Sequence, residues 1–186
     1  YRARGYLSGL IIDEAENLPS STAYISRFGS LLRAYQLVGF TPDRDYRYVE
    51  INRALRQMHP SIIATTVAEI VKVRGWVEQD PATDLLTING EFTASVVIAR
   101  CQETPWGALR WHIRLDTSLQ PDLTIALRME QTNRDVMDYY LLPRLDMTIP
   151  RLRLAESNGM AIDAYRFDSL APLYQMAARA SLLEVA

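Results

Sequence analysis

Hydrophobic positions along this chain change their spacing near Gly75. Before it they recur at helical intervals. After it they alternate, or run in short blocks bounded by turn residues. The first forty residues read as three short helices. Ser8 caps the first, whose apolar face is Leu10, Ile11, Ile12 and Ala15, and which ends near Asn17. Leu18-Pro19-Ser20-Ser21 breaks the chain, and Ser20 or Ser21 caps a second helix ending near Phe28. Gly29-Ser30 is a tight turn. Ser30 caps the third helix, with Leu31, Leu32, Ala34, Tyr35 and Val38, and Gly39 closes it. Phe28 and Leu32 are placed to hold the last two helices together.

Thr41-Pro42-Asp43 breaks the chain again. Two more helices are expected, Arg44–His59 and Ser61–Arg74, divided at Pro60. Five strands follow: Trp76–Glu78, Leu85–Ile88, Thr93–Arg100, Leu109–Leu115 and Leu123–Met129. The turns Asn89-Gly90, Thr104-Pro105-Trp106-Gly107 and Leu119-Gln120-Pro121-Asp122 join them as an antiparallel meander. Asp138–Leu142 is a sixth strand. Pro150 at a first helical position predicts a helix to Ser157, ended by Asn158-Gly159. Ala164–Phe167 is a short strand, and Asp168 or Ser169 caps a last helix to about Leu183. The fold class is α/β, α+β in detail: a helix-turn-helix-like helical unit over residues 1–59, then a mostly antiparallel sheet packed by helices over residues 60–186.

Composition sharpens this picture. At 48% hydrophobic and 23% charged residues, the 186-residue chain is ordinary globular material. No run reaches the roughly 18 apolar residues of a membrane span, and no signal-peptide pattern is present. The single cysteine, Cys101, excludes an internal disulfide and fits a reducing, cytoplasmic setting. It ends the apolar run Ala94–Arg100 and reads as a buried structural thiol. Helix-like sequence starts at Leu7, soon after Tyr1, so the chain reads as a segment of a longer bacterial-type polypeptide, whose remainder would be a partner; a homo-oligomer is also open.

Net charge is -2, which alone gives no support to nucleic-acid binding. Its distribution does more. Ser20–His59 holds six arginines and three acids, whereas Pro60–Ala186 holds twelve basic and sixteen acidic residues. Lys72 is the only lysine. Arginine presents a planar fork suited to phosphates and guanine edges, although a GC-rich genome would also spell basic residues this way.

The richest segment is Tyr24-Ile25-Ser26-Arg27-Phe28-Gly29-Ser30-Leu31-Leu32-Arg33-Ala34-Tyr35-Gln36-Leu37-Val38-Gly39-Phe40. Ser21, Thr22, Tyr24, Ser26 and Ser30 offer hydroxyls for phosphate, and Arg27, Arg33 and Gln36 can reach base edges. The alternative is a plain helical packing unit without a ligand. The series "Leu-Pro-Ser-Ser … Tyr … Arg-Phe-Gly-Ser-Leu … Ala-Tyr … Val-Gly-Phe-Thr-Pro" resembles the region downstream of the catalytic domain in bacterial serine recombinases of the resolvase/invertase superfamily. The Phe-Gly-Ser core also resembles helical repeats that accompany homing endonucleases. The resemblance covers residues 7–59 best. It implies DNA contact by the helical unit, in a protein that cuts and rejoins DNA elsewhere in its chain.

Other chemistry has weaker support. A restriction-endonuclease-like core needs an acid on one strand and an acid-x-lysine pair on the next, to bind magnesium and align water. Asp84 or Glu91 could be the first acid, but Ile98-Ala99-Arg100 stands where the pair is needed. His59 and His112 make no metal site with Cys101. There is no Gly-rich phosphate loop and no nucleophile elbow. Arg110, His112 and Arg114 share one strand face by the two-residue period, opposite Trp111 and Ile113. With Arg100 and Arg128 they would form a basic stripe, unless Glu103, Asp116 and Glu130 balance it as a solvated face.

The sequence therefore points to a DNA-binding accessory domain of a site-specific serine-recombinase-like protein, without enzymatic function of its own and without cofactor or metal. Ser21, Thr22, Tyr24, Arg27, Ser30, Arg33, Gln36, Arg110 and Arg114 are its candidate contacts. Two alternatives are a protein–protein assembly domain of the same protein and a degenerate restriction-endonuclease-like domain.

Overall fold

The computed structural model describes residues 7–15, 17–40, 47–115 and 118–180. It is an α+β protein that divides into two compact units, Tyr1–Tyr48 and Val49–Ala186. The expected break at Thr41-Pro42-Asp43, a helix start at Arg44 and the acid Asp116 lie outside the described residues. The last helix, expected to run from a cap at Asp168 or Ser169 to about Leu183, is corrected: it begins after Leu170, which offers no side-chain cap, and ends at Ala177, where Ala178 turns extended at ψ 142.

In the first unit α1 (Gly9–Asp13), α2 (Ser21–Phe28) and α3 (Leu31–Leu37) each begin on a serine. The Ser8, Ser20 and Ser30 hydroxyls accept from the amides of Ile11, Ala23 and Arg33, which satisfies donors that an uncapped helix would leave orphaned. Gly29 ends α2 at φ 79, a left-handed conformation that glycine adopts without strain. Among the described residues of this unit, Ile12 and Tyr35 are the buried hydrophobics. Phe28 and Leu32 are only half-buried.

The second unit holds almost all of α4 (Arg47–Lys72), a single helix with Pro60 inside it. This replaces the two helices expected on either side of Pro60. Proline removes one amide donor, but the Ile63 and Ile70 side of α4 is fully buried. Burial of that apolar face outweighs the local penalty.

Six strands make the main sheet: β1 (Val77–Gln79), β2 (Leu86–Ile88), β3 (Phe92–Ala99), β6 (Leu123–Met129), β7 (Val136–Pro143) and β9 (Arg166–Phe167), in the order β1-β2-β3-β6-β7-β9. The β3–β6 pair is parallel, from Ala94↔Leu123 to Ala99↔Arg128, and the others are antiparallel. A second sheet holds β4 (Gln102–Glu103), β5 (Leu109–Arg114) and β8 (Arg151–Leu154), in the order β4-β5-β8. The expected continuous meander is thus corrected. The Thr104–Gly107 turn does not return the chain into the main sheet but closes the β4–β5 hairpin of the second. The expected helix at Pro150–Ser157 is corrected as well, because Arg-Leu-Arg-Leu alternates with a period of two and builds β8 instead.

Three layers result. On one side of the main sheet, Ile63 and Ile70 of α4, with Leu173 and Ala177 of α6 (Ala171–Ala177), pack on Leu86, Ile88, Ile125 and Leu127. On the other side, Ala126, Tyr140 and Leu142 pack against Trp111, Ile113, Leu152 and Leu154 of the small sheet. Strand β6, buried along its whole length, is shared by both cores. Gly75 lets the C-terminal end of α6 approach: a Cβ there would stand 2.8 Å from the Ala177 carbonyl oxygen and 2.7 Å from Ile70 Cγ2. A short helix, α5 (Met160–Asp163), precedes β9. Among the described residues no helix is long and apolar enough to cross a membrane.

Candidate nucleic-acid interface

The small sheet is amphipathic by strict alternation. Trp111, Ile113, Leu152 and Leu154 point into the second core, so their neighbours must point away from it. Pairing of β5 with β4 and β8 sets Arg110 opposite Gln102, His112 opposite Arg153, and Arg114 opposite Arg151. One face therefore collects Arg110, Arg114, Arg151, Arg153, His112 and Gln102. His112, Arg114, Arg151 and Arg153 are exposed and Arg110 is half-buried, its Nη1 donating to the Leu109 carbonyl at 2.7 Å. Gln102 Nε2 lies 3.1 Å from His112 Nδ1, within hydrogen-bond distance. Glu103, one of the acids expected to balance this face, instead accepts from Gln131 Nε2 at 3.1 Å. Trp106, 92% exposed, stands at the tip of the same β4–β5 hairpin.

Arg151 and Arg153 were not expected at this face, and the helix read at Pro150–Ser157 is the reason. The two-residue alternation of Arg-Leu-Arg-Leu was the signal that could have found them. Conversely, Arg128 does not belong to the face. It lies fully buried between the two sheets. Its Nε and Nη2 donate to Asp138 Oδ1 and Oδ2 at 2.8 and 2.6 Å, and Nη1 donates to the Ala155 carbonyl. Its guanidinium carbon sits 4.6 Å from the Trp111 ring centroid and 5.1 Å from that of Tyr140. Burial works against the Arg128 charge, but the Asp138 hydrogen bonds and charge overcome it and hold the group above its ordinary pKa. Arg166 Nε reaches the same carboxylate at 2.8 Å. Arg100 also leaves the expected stripe, since it lines a cleft between the long helix α4 and β3.

In the helical unit, Arg27, Arg33 and Gln36 line one concavity of about 520 Å³ together with Phe28 and Leu37. The turn at Gly29 and the cap at Ser30 place the end of α2 beside α3. Three of the other predicted contacts there, Ser21, Ser30 and Tyr24, already have partners within the unit. Ser21 donates through its amide and hydroxyl to Asp13 at 2.6 and 2.8 Å, Ser30 Oγ holds the Arg33 amide, and Tyr24 stacks on Phe28 with ring centroids 6.3 Å apart. Thr22 is exposed.

The cleft between α4 and β3, about 470 Å³, is lined by Asn52, Leu55, Arg56, His59, Val96, Val97, Ile98 and Arg100. His59 Nε2 donates to the Val96 carbonyl at 3.0 Å, and its Nδ1 stands 3.8 Å from Asp84 Oδ2. Gln79 Nε2 donates to the other Asp84 oxygen at 2.9 Å. Glu91, the other candidate acid, pairs with Arg179. A nuclease centre that uses magnesium needs several oxygen ligands around one point. Among the described residues no group of three or more His, Cys, Asp and Glu is placed to hold a metal ion, and β3 brings Val96, Val97 and Ile98 to the cleft, none of which is a metal ligand. The donor set does not fit a divalent metal. Cys101 is buried, and burial pushes its thiol above the ordinary value, with Glu103 and Glu156 adding to the shift. That suits a packing residue better than a nucleophile.

The class these features describe is an α+β domain with a mixed central sheet and arginine-rich surfaces. No protein-family model and no curated protein sequence matches the chain. A solved structure of a bacterial homing endonuclease, I-Ssp6803I, overlaps it with a TM-score of 0.37 at 14% identity, over 60% of this chain and 85% of that one. The expectation that this chain has no enzymatic function is corrected by that match, whose counterpart is an endonuclease, and is withdrawn. The match gives nothing to the serine-recombinase resemblance.

Proposed function

We propose that this chain is a DNA-interacting, nuclease-like domain whose small sheet lies on the phosphate backbone. The observation that carries the reading is the face of Arg110, Arg114, Arg151 and Arg153 around His112. Each guanidinium fork at this face matches a phosphate. In the helical unit Arg27, Arg33 and Gln36 form a second contact, with Ser21, Thr22, Tyr24 and Ser30 at its margin. Placement within a site-specific recombinase rests on the resemblance of residues 7–59.

Fluorescence anisotropy on a random duplex at two salt concentrations tests the reading. Binding should weaken steeply with salt and fall on the order of tenfold in Arg151→Gln/Arg153→Gln, with a separate loss in Arg27→Ala/Arg33→Ala. A folded protein that does not bind duplex at low salt would sink it. Adding magnesium to the same samples reads cleavage directly.

A further inference from the structure

Of the three tryptophans, Trp111 is fully buried, Trp76 is 52% exposed and Trp106 is 92% exposed. A side chain that buries so little apolar surface adds almost nothing to the fold. Its backbone is nevertheless fixed. The Gly107 amide donates to the Thr104 carbonyl at 2.9 Å, the Thr104 amide to the Ala108 carbonyl at 2.9 Å, and the Ala108 amide to Thr104 Oγ1 at 3.1 Å. Pro105 restricts the residue before Trp106, and Gly107 closes the hairpin in the left-handed conformation at φ 79. The indole is thus carried on a tip whose backbone is ordered before any ligand arrives, which lowers the cost of binding.

The charge around the tip selects the occupant. Strands β4, β5 and β8 carry four arginines and one acid, Glu103. Arg110 lies two residues beyond Ala108, about 7 Å along the strand. An apolar protein partner would have to bury its surface beside those charges. A nucleic acid offers phosphates to the arginines and a base to the indole. In an uninterrupted duplex the faces of the bases are covered by the stack; at a gap, an overhang or a single strand they are open. We propose that Trp106 is a stacking platform for an unpaired base, so that the small sheet takes DNA with a single-stranded segment in preference to uninterrupted duplex. This rests on the reading that the sheet lies on the phosphate backbone, and adds to it the form of the DNA.

Fluorescence anisotropy on two DNAs tests it: an uninterrupted duplex, and the same duplex with a short single-stranded overhang. The unaltered protein should bind the overhang DNA more tightly. Trp106→Ala should weaken overhang binding about tenfold and change duplex binding no more than about twofold. Trp106→Phe, which keeps a ring, should recover most of the loss. Both variants should keep the urea midpoint of the unaltered protein, since the position is exposed. In Trp76→Phe, which leaves Trp106 as the exposed indole, overhang DNA should quench the emission. Equal binding of the two DNAs, an equal loss on both in Trp106→Ala, or no loss at all would overturn the inference and leave the sheet-face reading standing. Neither DNA binding at low salt would overturn both. Self-association that Trp106→Ala abolishes, with DNA binding unchanged, would assign the indole to a protein interface and overturn the inference as well.

Discussion

Arg128 and Arg153 lie on strands of adjacent layers, and their surroundings are opposites. Arg128 is sealed between the sheets, forked on Asp138 and flanked by two aromatic rings. Arg153 is exposed, opposite His112, and has no carboxylate partner among the described residues. Both are strand arginines that a two-residue period assigns to a face. What separates them is the layer on the other side: β6 is covered on both faces, β8 on one. An arginine with every donor matched inside a core is part of the fold. Arg153, exposed on a strand covered on one face, keeps its guanidinium at the surface, where a ligand can reach it.

The sharpest way to break this comparison is to remove a partner from the buried pair. Asp138→Ala would leave Arg128 charged and desolvated, and Arg166 without its carboxylate. Breaking a buried pair from one side costs about 3–5 kcal/mol, read as a fall in urea midpoint at constant slope. Replacing both partners, Arg128→Met with Asp138→Leu, should cost much less. If Asp138→Ala were as stable as the unaltered protein, the ion pair would not be holding the layers together.

The exposed row predicts the opposite pattern. Arg151→Gln/Arg153→Gln should change stability by no more than about 0.5 kcal/mol. Its effect belongs to binding. Each phosphate contact contributes about 0.9 to the slope of log affinity against log salt, so the double variant should lower that slope by about 2. A variant that lost stability in proportion to affinity would place these arginines with Arg128, in the fold.

How much of this was legible beforehand follows the same division. The caps at Ser8, Ser20 and Ser30, the Asn89-Gly90 hairpin and the faces of β5 are local, and the sequence carries them. Pro60 and Pro150 were read by local rules as a break and a helix start. The structure overrides both, because the long-range burial of Ile63, Ile70, Leu152 and Leu154 is stronger than either local signal. The buried position of Arg128 needs β5 and β7 around it, and alternation names a face without saying what covers it. The α4–β3 cleft joins residues as distant as His59 and Val96, and no motif spacing links them. Nor could the sequence choose between a solvated and a basic face on β5 until β8 supplied Arg151 and Arg153.

The smallest expected effect lies at the rim of the buried arginine and is a matter of pH. Tyr140, one of the rings beside Arg128, donates its hydroxyl to Asp163 Oδ1 at 2.6 Å, and the Asn158 amide donates to Asp163 Oδ2 at 2.9 Å. The Asn158 backbone bond, then the Tyr140 bond, hold the Asp163 carboxyl down at about 2 against an ordinary 3.8. Burial, with the Asp163 bond, pushes Tyr140 up to about 12. The two shifts act at opposite ends of the scale. A depressed carboxyl contributes stability that is complete above its unfolded value and is lost as pH falls from about 4 towards 2. A raised phenol contributes stability that is complete below pH 10 and is lost as pH rises towards 12. Asp163 is half-exposed, so after solvent screening its share is about 1 kcal/mol or less. Thermal unfolding of Asp163→Asn should therefore converge with the unaltered protein at acid pH and fall below it near neutrality. A constant gap between the two across pH 2–7 would mean that the carboxylate's charge is not what steadies Tyr140 against Arg128.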